Sequence, residues 1–237
     1  MDVSPVRLAV GEAMVTVFNA GDLRYNLAEN LNVDESAWRP RYEAEMRAPV
    51  HLPMQCTLIE TPQAVVLVDA PAYDLEPDSP FRIEGYAPPP GLLEQMAASG
   101  IDADKIEQVA FTHAHWDHFN GLTIERPGQT WLPTFANARV YLGRADWESA
   151  EMQAALAEPA SREARTFGVL ASQGRLAAVE GRRQIAPGID LVPTPGESPG
   201  HMMVRVVSMG RTLYCVGDIY HHVIEVEQPS WAVPWAD

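Results

Sequence analysis

The chain has 237 residues, and its content of 46% hydrophobic and 21% charged residues is typical of a globular protein. The formal net charge of −15 opposes binding to nucleic acid or to an anionic membrane surface, and no apolar run approaches the roughly 20 residues of a membrane span. The N-terminus shows no basic segment followed by an apolar one, so we expect a cytoplasmic protein. Cys56 and Cys215 are too few for a disulfide scaffold and are expected to be buried neutral thiols.

The first part of the chain alternates strand patterns with one helical segment and one long loop. The strand patterns form two hairpins, at residues 6–10 with 14–18 and at residues 54–60 with 64–69. Residues 34–47 have helical spacing that Pro40 interrupts, which predicts a broken helix or a loop arm. Residues 71–90 contain six prolines and are therefore predicted to form an irregular loop.

The second part of the chain carries another group of strands with helical segments beside them. A helix is predicted over residues 92–99, because Gly100 is a typical C-terminal signal, and a short strand over residues 106–111. Further strand patterns lie at 138–142, 175–179, 189–194, 201–208 and 212–217, with helical patterns at 144–157 and 158–172. Two groups of strands with helices nearby are compatible with two sheets packed face to face and helices outside.

The densest group of metal-binding side chains is His113-x-His115-x-Asp117-His118, directly after the strand pattern at 106–111. Residues two apart on an extended chain point the same way, so His113 and His115 are expected to converge on one point. Asp117 and His118 are neighbours beyond the turn and diverge, so the two pairs can address two nearby points. Imidazole and carboxylate bind zinc, iron or manganese at neutral pH. The motif therefore predicts a metal site that requires further ligands from elsewhere in the chain.

This motif resembles the signature of the metallo-β-lactamase-fold hydrolases, and the order and spacing of elements from about Leu58 to Asp218 are similar as well. Residues 135–141 and 217–222 resemble in particular the lactonase and organophosphate-hydrolase-like branch. The resemblance implies an α/β (α+β) fold, a four-layer αββα sandwich of two mixed β-sheets with helices on the outer faces, formed as a single domain by residues 1–237. The family usually adds a histidine near its C-terminus, and our preferred explanation for its absence is that this chain lacks the last strand and helix. The alternatives are that His222 substitutes as the ligand or that the second metal site is weak and partly empty.

The same resemblance implies the rest of the metal ligands. His201 would complete the first site with His113 and His115. Asp218 matches the family's bridging aspartate and would hold the second metal together with Asp117 and His118. The cofactors implied are two divalent metal ions, with zinc as the first choice and iron or manganese as alternatives.

Comparison with the family also suggests roles for four further polar residues. Relatives often carry histidine at the position of Glu197, which we expect to brace its loop. Asp69 ends a strand where the family has an aspartate close to the metals, and it is either an orienting group or an ordinary turn residue. His221 is a candidate proton donor or substrate-steering residue, because lactonases tend to place a polar aromatic residue there. His222 is an alternative ligand for the second metal.

The function implied by the resemblance is hydrolysis of an ester or lactone bond in a small molecule by a water that the two metals activate, with Asp117 orienting the hydroxide. The catalytic candidates are therefore Asp117 and His221. A β-lactam or phosphotriester hydrolase of the same fold is one alternative, and a metal-binding domain without turnover is another. We expect a small-molecule substrate and no nucleic-acid or membrane partner, and a homodimer is left open.

Overall fold

The computed structural model describes residues 4–31, 33–126, 131–231 and 233. Its strands are β1 (Val6–Val10), β2 (Ala13–Tyr25), β3 (Val50–Glu60), β4 (Val65–Val68), β5 (Gln108–Ala110), β6 (Thr123–Ile124), β7 (Leu132–Pro133), β8 (Arg139–Gly143), β9 (Leu176–Val179), β10 (Arg183–Ala186), β11 (Ile189–Pro193), β12 (Met202–Ser208) and β13 (Arg211–Cys215). Its α-helices are α1 (Leu27–Asn30), α2 (Glu35–Arg47), α3 (Leu92–Ala98), α4 (Trp116–Phe119), α5 (Arg144–Trp147), α6 (Ala150–Leu156), α7 (Val169–Ser172) and α8 (Val223–Glu227). Shorter helical turns cover Ala103–Lys105, Ala164–Gly168 and Gly217–Ile219.

The strands form two main sheets. The seven-stranded sheet has the order β1-β2-β3-β4-β5-β8-β9, the four-stranded sheet has the order β10-β11-β12-β13, and β6 and β7 pair separately. In the larger sheet β1 to β4 pair antiparallel, whereas β4, β5, β8 and β9 pair parallel. The smaller sheet is antiparallel throughout, because its connections are too short for the crossover that parallel pairing needs. This corrects the expectation that both sheets are mixed.

The two sheets pack against each other, and helices cover the other side of the larger one. Successive residues of a strand face opposite sides of its sheet, so core residues alternate along the strands with residues that face outward. The core between the two sheets includes Val15, Ile59, Val66, Ile189, Leu191, Val204 and Val206. The core under the helices joins strand residues such as Leu58, Val109 and Val140 to Met96, Phe119, Met152, Phe167 and Leu170. The predicted fold class and the packing of two sheets with a helix layer on the larger one are confirmed, and a helix layer on the outer face of the smaller sheet stays a prediction. The implied lack of a last strand and helix stays a prediction.

Most predicted elements are present. The broken helix expected at residues 34–47 is confirmed, because α2 contains Pro40 and is interrupted by a kink at Tyr42. Two other elements differ from the prediction. The helical pattern at 144–157 is two helices, because Ser149 ends one and caps the next by accepting a hydrogen bond from the Met152 amide. Strand β10 was not predicted, because its only buried residue is Ala186 and no apolar alternation marks it.

A third cluster joins the N-terminal arm to the C-terminal helix beside the end of the sheets. Its buried members come from α1, α2 and α8 and include Trp38, Tyr42 and Ile224, and Tyr25 contributes from the end of β2. Among the helices that the structure describes, none has the length and hydropathy needed to span a membrane.

Both cysteines are free in the structure. Burial raises the pKa of the Cys56 thiol well above its ordinary value and that of Cys215 to about 12. Cys56 is buried as expected, whereas Cys215 is only partly buried, and the raised pKa of each thiol favours its neutral form at neutral pH.

Candidate metal centre

The motif at 113–118 follows β5 and turns into α4, with His115 as the residue before the helix. As the spacing predicts, His113 and His115 converge, and their Nε2 and Nδ1 atoms lie 2.9 Å apart. The His118 ring comes back from α4 to within 4.1 Å of the His113 ring, measured between centroids. Burial lowers the pKa of His113 well below its ordinary value, so its imidazole is neutral and has a lone pair for a metal.

Asp69 orients two parts of this motif from the end of β4. Its carboxylate accepts hydrogen bonds from the Thr112 amide (2.8 Å) and the Thr112 hydroxyl (2.9 Å), and it lies 2.9 Å from His118 Nδ1. The backbone at Asp69 has a φ of 60°, a left-handed conformation that is uncommon for a residue other than glycine. Of the two alternatives for Asp69, the contacts favour the orienting group over the ordinary turn residue, because they direct His118 Nε2 toward the cluster.

The loop between β11 and β12 brings His201 to the same place. Its Nδ1 lies 2.9 Å from the Thr194 hydroxyl, and its ring centroid is 5.3 Å from that of His113. The Nε2 atom is buried and has no hydrogen-bond partner among the residues that the structure describes. Burial lowers the pKa of His201, which favours the neutral imidazole. In the tautomer that donates Nδ1–H to the Thr194 hydroxyl, Nε2 carries the lone pair.

Asp146 joins the two histidine loops and was not singled out from the sequence. It is buried at 5% exposure, and its Oδ2 accepts from the Ala114 amide (3.2 Å) and the Ser198 hydroxyl (2.8 Å). Its Oδ1 accepts from the Gly200 amide at 2.7 Å. The carboxylate therefore fixes the distance between the loop of His113 and the loop of His201. Nothing in the local pattern of a helix start marks such a role.

Asp218 follows β13 and faces the other side of the cluster. Its Oδ2 lies 3.3 Å from His118 Nε2 and 3.6 Å from His221 Nε2. Burial alone would raise the pKa of Asp218, but His118 outweighs that effect and the net pKa is lowered. The pKa of His118 also reflects two opposing effects. Burial lowers it, but the charges of Asp218 and Asp69 raise it well above the ordinary value.

Asp117 does not share a close contact with these groups, but it lines the same cavity. Burial raises the pKa of its carboxyl group, and Asp218 adds to that effect. The cavity has a volume of about 380 Å³ and lies between the inner face of β1 to β3 and β13. Its polar end consists of Asp69, Thr112, Asp117, His118, Asp218 and His221, and its apolar walls include Leu8, Val15, Val17, Leu23, Leu52 and Leu213.

The structure corrects the interpretation of two residues. Glu197 is not merely a loop brace, because its Oε1 lies 3.3 Å from His115 Nδ1 and 3.8 Å from His221 Nε2. His222 does not point into the cluster, since its Nδ1 accepts from the Ile224 amide and caps α8. Its neighbour His221 points inward instead and is only 5% exposed in its side chain.

The residues present fit a divalent metal. Three groups have ligand atoms within 4.8 Å of one another: His113 with His115 and Glu197, His113 with His118 and Asp218, and Glu197 with Asp218 and His221. Imidazoles and carboxylates are zinc, iron and manganese ligands, and the buried Nε2 of His201 gains a partner only if a cation or a water binds there.

Gly217 tests how tightly this cluster is packed. Its φ is 58°, and a Cβ there would come within 2.7 Å of His201 Nε2 and of Thr112 Cβ. We expect Gly217→Ala to cost about 2–3 kcal/mol of stability, roughly 1 from the backbone and the rest from the contact, and to weaken metal binding. Gly174→Ala is the matched control, because Gly174 has a φ of 68° with nothing within 4 Å. Equal losses in denaturant unfolding and zinc titration for both variants would contradict the packing argument.

The fold and the cluster together define a metal-binding protein built as an α/β sandwich. The chain belongs to the metallo-β-lactamase superfamily, whose family model matches residues 52–230. It is similar to an N-acyl homoserine lactonase of Bacillus cereus, with 23% identity over 183 residues that cover 72% of this chain and 66% of that protein. A lactonase of Bacillus thuringiensis is 24% identical over the same shares. The chain thus spans just under two thirds of the length of these relatives.

Solved structures show the same fold. The hydrolase AbOPH superposes with a TM-score of 0.78 at 17% identity, covering 100% of this chain and 81% of the other. AidC, a dizinc quorum-quenching lactonase in complex with a product, gives a TM-score of 0.74 at 20% identity, with 100% and 82% coverage. The resemblance inferred from the motif is therefore confirmed at the level of family and fold.

Proposed function

We propose that this protein is a metal-dependent hydrolase that cleaves an ester or lactone bond in a small molecule. The observation that carries the proposal is that ligand atoms of the 113–118 motif, Asp218 and His221 converge, and that His118, Asp218 and His221 lie at the polar end of a cavity. The lactonase relatives support a lactone as the first substrate class to test. The apolar walls of the cavity support a substrate with a hydrocarbon part.

In this proposal His113, His115 and His201 would hold one cation, and Asp117, His118 and Asp218 would hold a second. The bound ions, with zinc as the first choice and iron or manganese as alternatives, would polarise the substrate and lower the pKa of a water to about 7. Asp117 orients the attacking water by accepting a hydrogen bond. Asp69, Thr194 and Asp146 hold the histidines in place through the contacts described above.

The protein's partners and location are part of the same proposal. The net charge of −15 supports a small-molecule substrate over nucleic acid or a membrane. A cytoplasmic location is a further proposal, which fractionation of the producing cells tests. We also propose that residues 1–237 form a single domain. The chain could act as a monomer or as a homodimer, and sedimentation of the purified protein distinguishes the two.

The test is a substrate panel with zinc-loaded protein. We expect ring opening of acylated lactones or cleavage of aryl esters to exceed that of a phosphotriester and a chromogenic β-lactam. Asp117→Asn should lower turnover by about 10²-fold or more, since it weakens a group placed at the reacting water. Glu148→Gln, on the exposed end of α5, is the control that should keep wild-type turnover. If zinc-loaded protein cleaves none of these substrates, the result would contradict the proposed activity and favour a metal-binding domain without turnover.

A further inference from the structure

His221 is aimed into the cluster by the start of α8. The amides of His221 and His222 both donate to Glu225 Oε1, at 2.9 and 2.8 Å, as part of a capping box. This arrangement fixes the backbone, so the two neighbouring side chains point in different directions. The His221 ring stacks on Tyr25 with centroids 5.5 Å apart and planes 8° from parallel. A ring held on one face by an aromatic side chain has little freedom to turn away from the cluster.

The Nε2 atom of His221 lies at ligand spacing from two carboxylates. It is 3.6 Å from Asp218 Oδ2 and 3.8 Å from Glu197 Oε1. Two ligand atoms that each lie about 2.0–2.1 Å from a tetrahedral zinc are about 3.4 Å apart. The two distances from His221 Nε2 exceed that spacing by only a few tenths of an ångström, and all three ligand atoms lie within 4.8 Å of one another. All three side chains are largely removed from solvent, with exposures of 3%, 23% and 5% for Glu197, Asp218 and His221.

Glu197 links this group to the predicted ligands. Its Oε1 lies between His221 and His115, whose Nδ1 is 3.3 Å away. Asp218 Oδ2 makes the same kind of link on the other side, between His221 and His118. A second observation points to a cation in the neighbouring part of the cluster: the His201 ring lies 5.3 Å from that of His113, and its buried Nε2 has no hydrogen-bond partner among the described residues. A carboxylate has two oxygens and can serve two neighbouring cations, as Glu197 and Asp218 are both placed to do.

We propose that Glu197 and His221 are also metal ligands in this protein and join Asp218 at the second cation, in addition to the ligands Asp117 and His118 that the family resemblance implies. This assignment gives His221 a role as a ligand in place of the proton donor that the sequence suggests, and it explains why His222 is not needed. The inference rests on the proposed function only in requiring that the protein binds metal at all.

Metal content tests the inference without any substrate. We expect the zinc-reconstituted full chain to bind about two zinc ions, and His221→Ala and Glu197→Ala to retain about one or to bind the second at least 10-fold more weakly. His222→Ala is the matched control and should keep the wild-type content, because His222 caps α8 from outside the cluster. Circular dichroism establishes that each variant is folded before its metal content is compared.

A spectroscopic experiment tests the inference even if the alanine variants do not fold, because it looks for a new absorption band. In cobalt-substituted protein, His221→Cys should produce a thiolate-to-cobalt charge-transfer band that wild type and His222→Cys lack. An absent band, or wild-type zinc affinity in both alanine variants, would overturn the inference. So would an intact metal content in His221→Ala combined with lost turnover, which is the result expected of a proton donor. Wild-type protein that binds no zinc would instead refute the proposed function itself.

Discussion

Replacing His201 by alanine is expected to remove about one metal ion per chain and to lower hydrolysis by roughly 10³-fold or more. A bound cation supplies several kcal/mol to such a reaction, and each 1.4 kcal/mol is a factor of ten in rate. His201 is 1% exposed, and its Nε2 has no hydrogen-bond partner among the described residues. The expected loss follows from the ring's position: Thr194 holds Nδ1 and leaves only Nε2 for a metal.

The stability of the metal-free protein separates this role from a structural one. An unpaired buried nitrogen costs about 1–3 kcal/mol, so its removal offsets part of the packing that His201→Ala loses. We therefore expect the variant to lose much more thermal stability in the zinc-loaded form than in the metal-free form. His51→Ala is the control, since the side chain of His51 is 42% exposed and pairs with Asp22 away from the cluster. Unchanged zinc content in His201→Ala would refute the assignment.

The sequence predicts those parts of the site that depend on local geometry. His113 and His115 converge because residues two apart on an extended chain face the same way. The position of Asp218 after a short strand is likewise readable from the pattern of β13. The family resemblance then supplies the sandwich that brings these strand ends together, which no local pattern contains.

The sequence does not predict the parts that depend on contacts between distant segments. His221 and His222 are adjacent and chemically identical, and only the capping box of α8 and the ring of Tyr25 decide which one points inward. Glu197 looks like a loop residue until the segment between β5 and α4 and the start of α8 place two histidines beside it. In each case the information lies in the packing of elements whose relative positions are set by the whole core.

Asp146 is the clearest case of such a distant contact, because its partner Gly200 is 54 residues away in the chain. The carboxylate accepts three hydrogen bonds from two loops. Each hydrogen bond to a charged group contributes about 1.5–3 kcal/mol to stability. Removing the carboxylate also leaves buried donors without a partner, which lowers stability further. These terms overlap, because all three bonds share one buried carboxylate.

We expect Asp146→Ala to lower the free energy of unfolding of the metal-free protein by about 3–5 kcal/mol and to weaken zinc binding by roughly 10–100-fold. Asp146→Asn should cost less, because its oxygen can still accept from the Gly200 amide while its NH₂ group faces the Ala114 amide. Glu148→Ala is the matched control: its exposed ion pair with Arg144 contributes at most about 1 kcal/mol. Denaturant unfolding and competitive zinc titration measure both effects. Because Asp146 acts by holding two histidine loops at one spacing, a variant that is destabilised but binds zinc with wild-type affinity would show that the loops find that spacing without it.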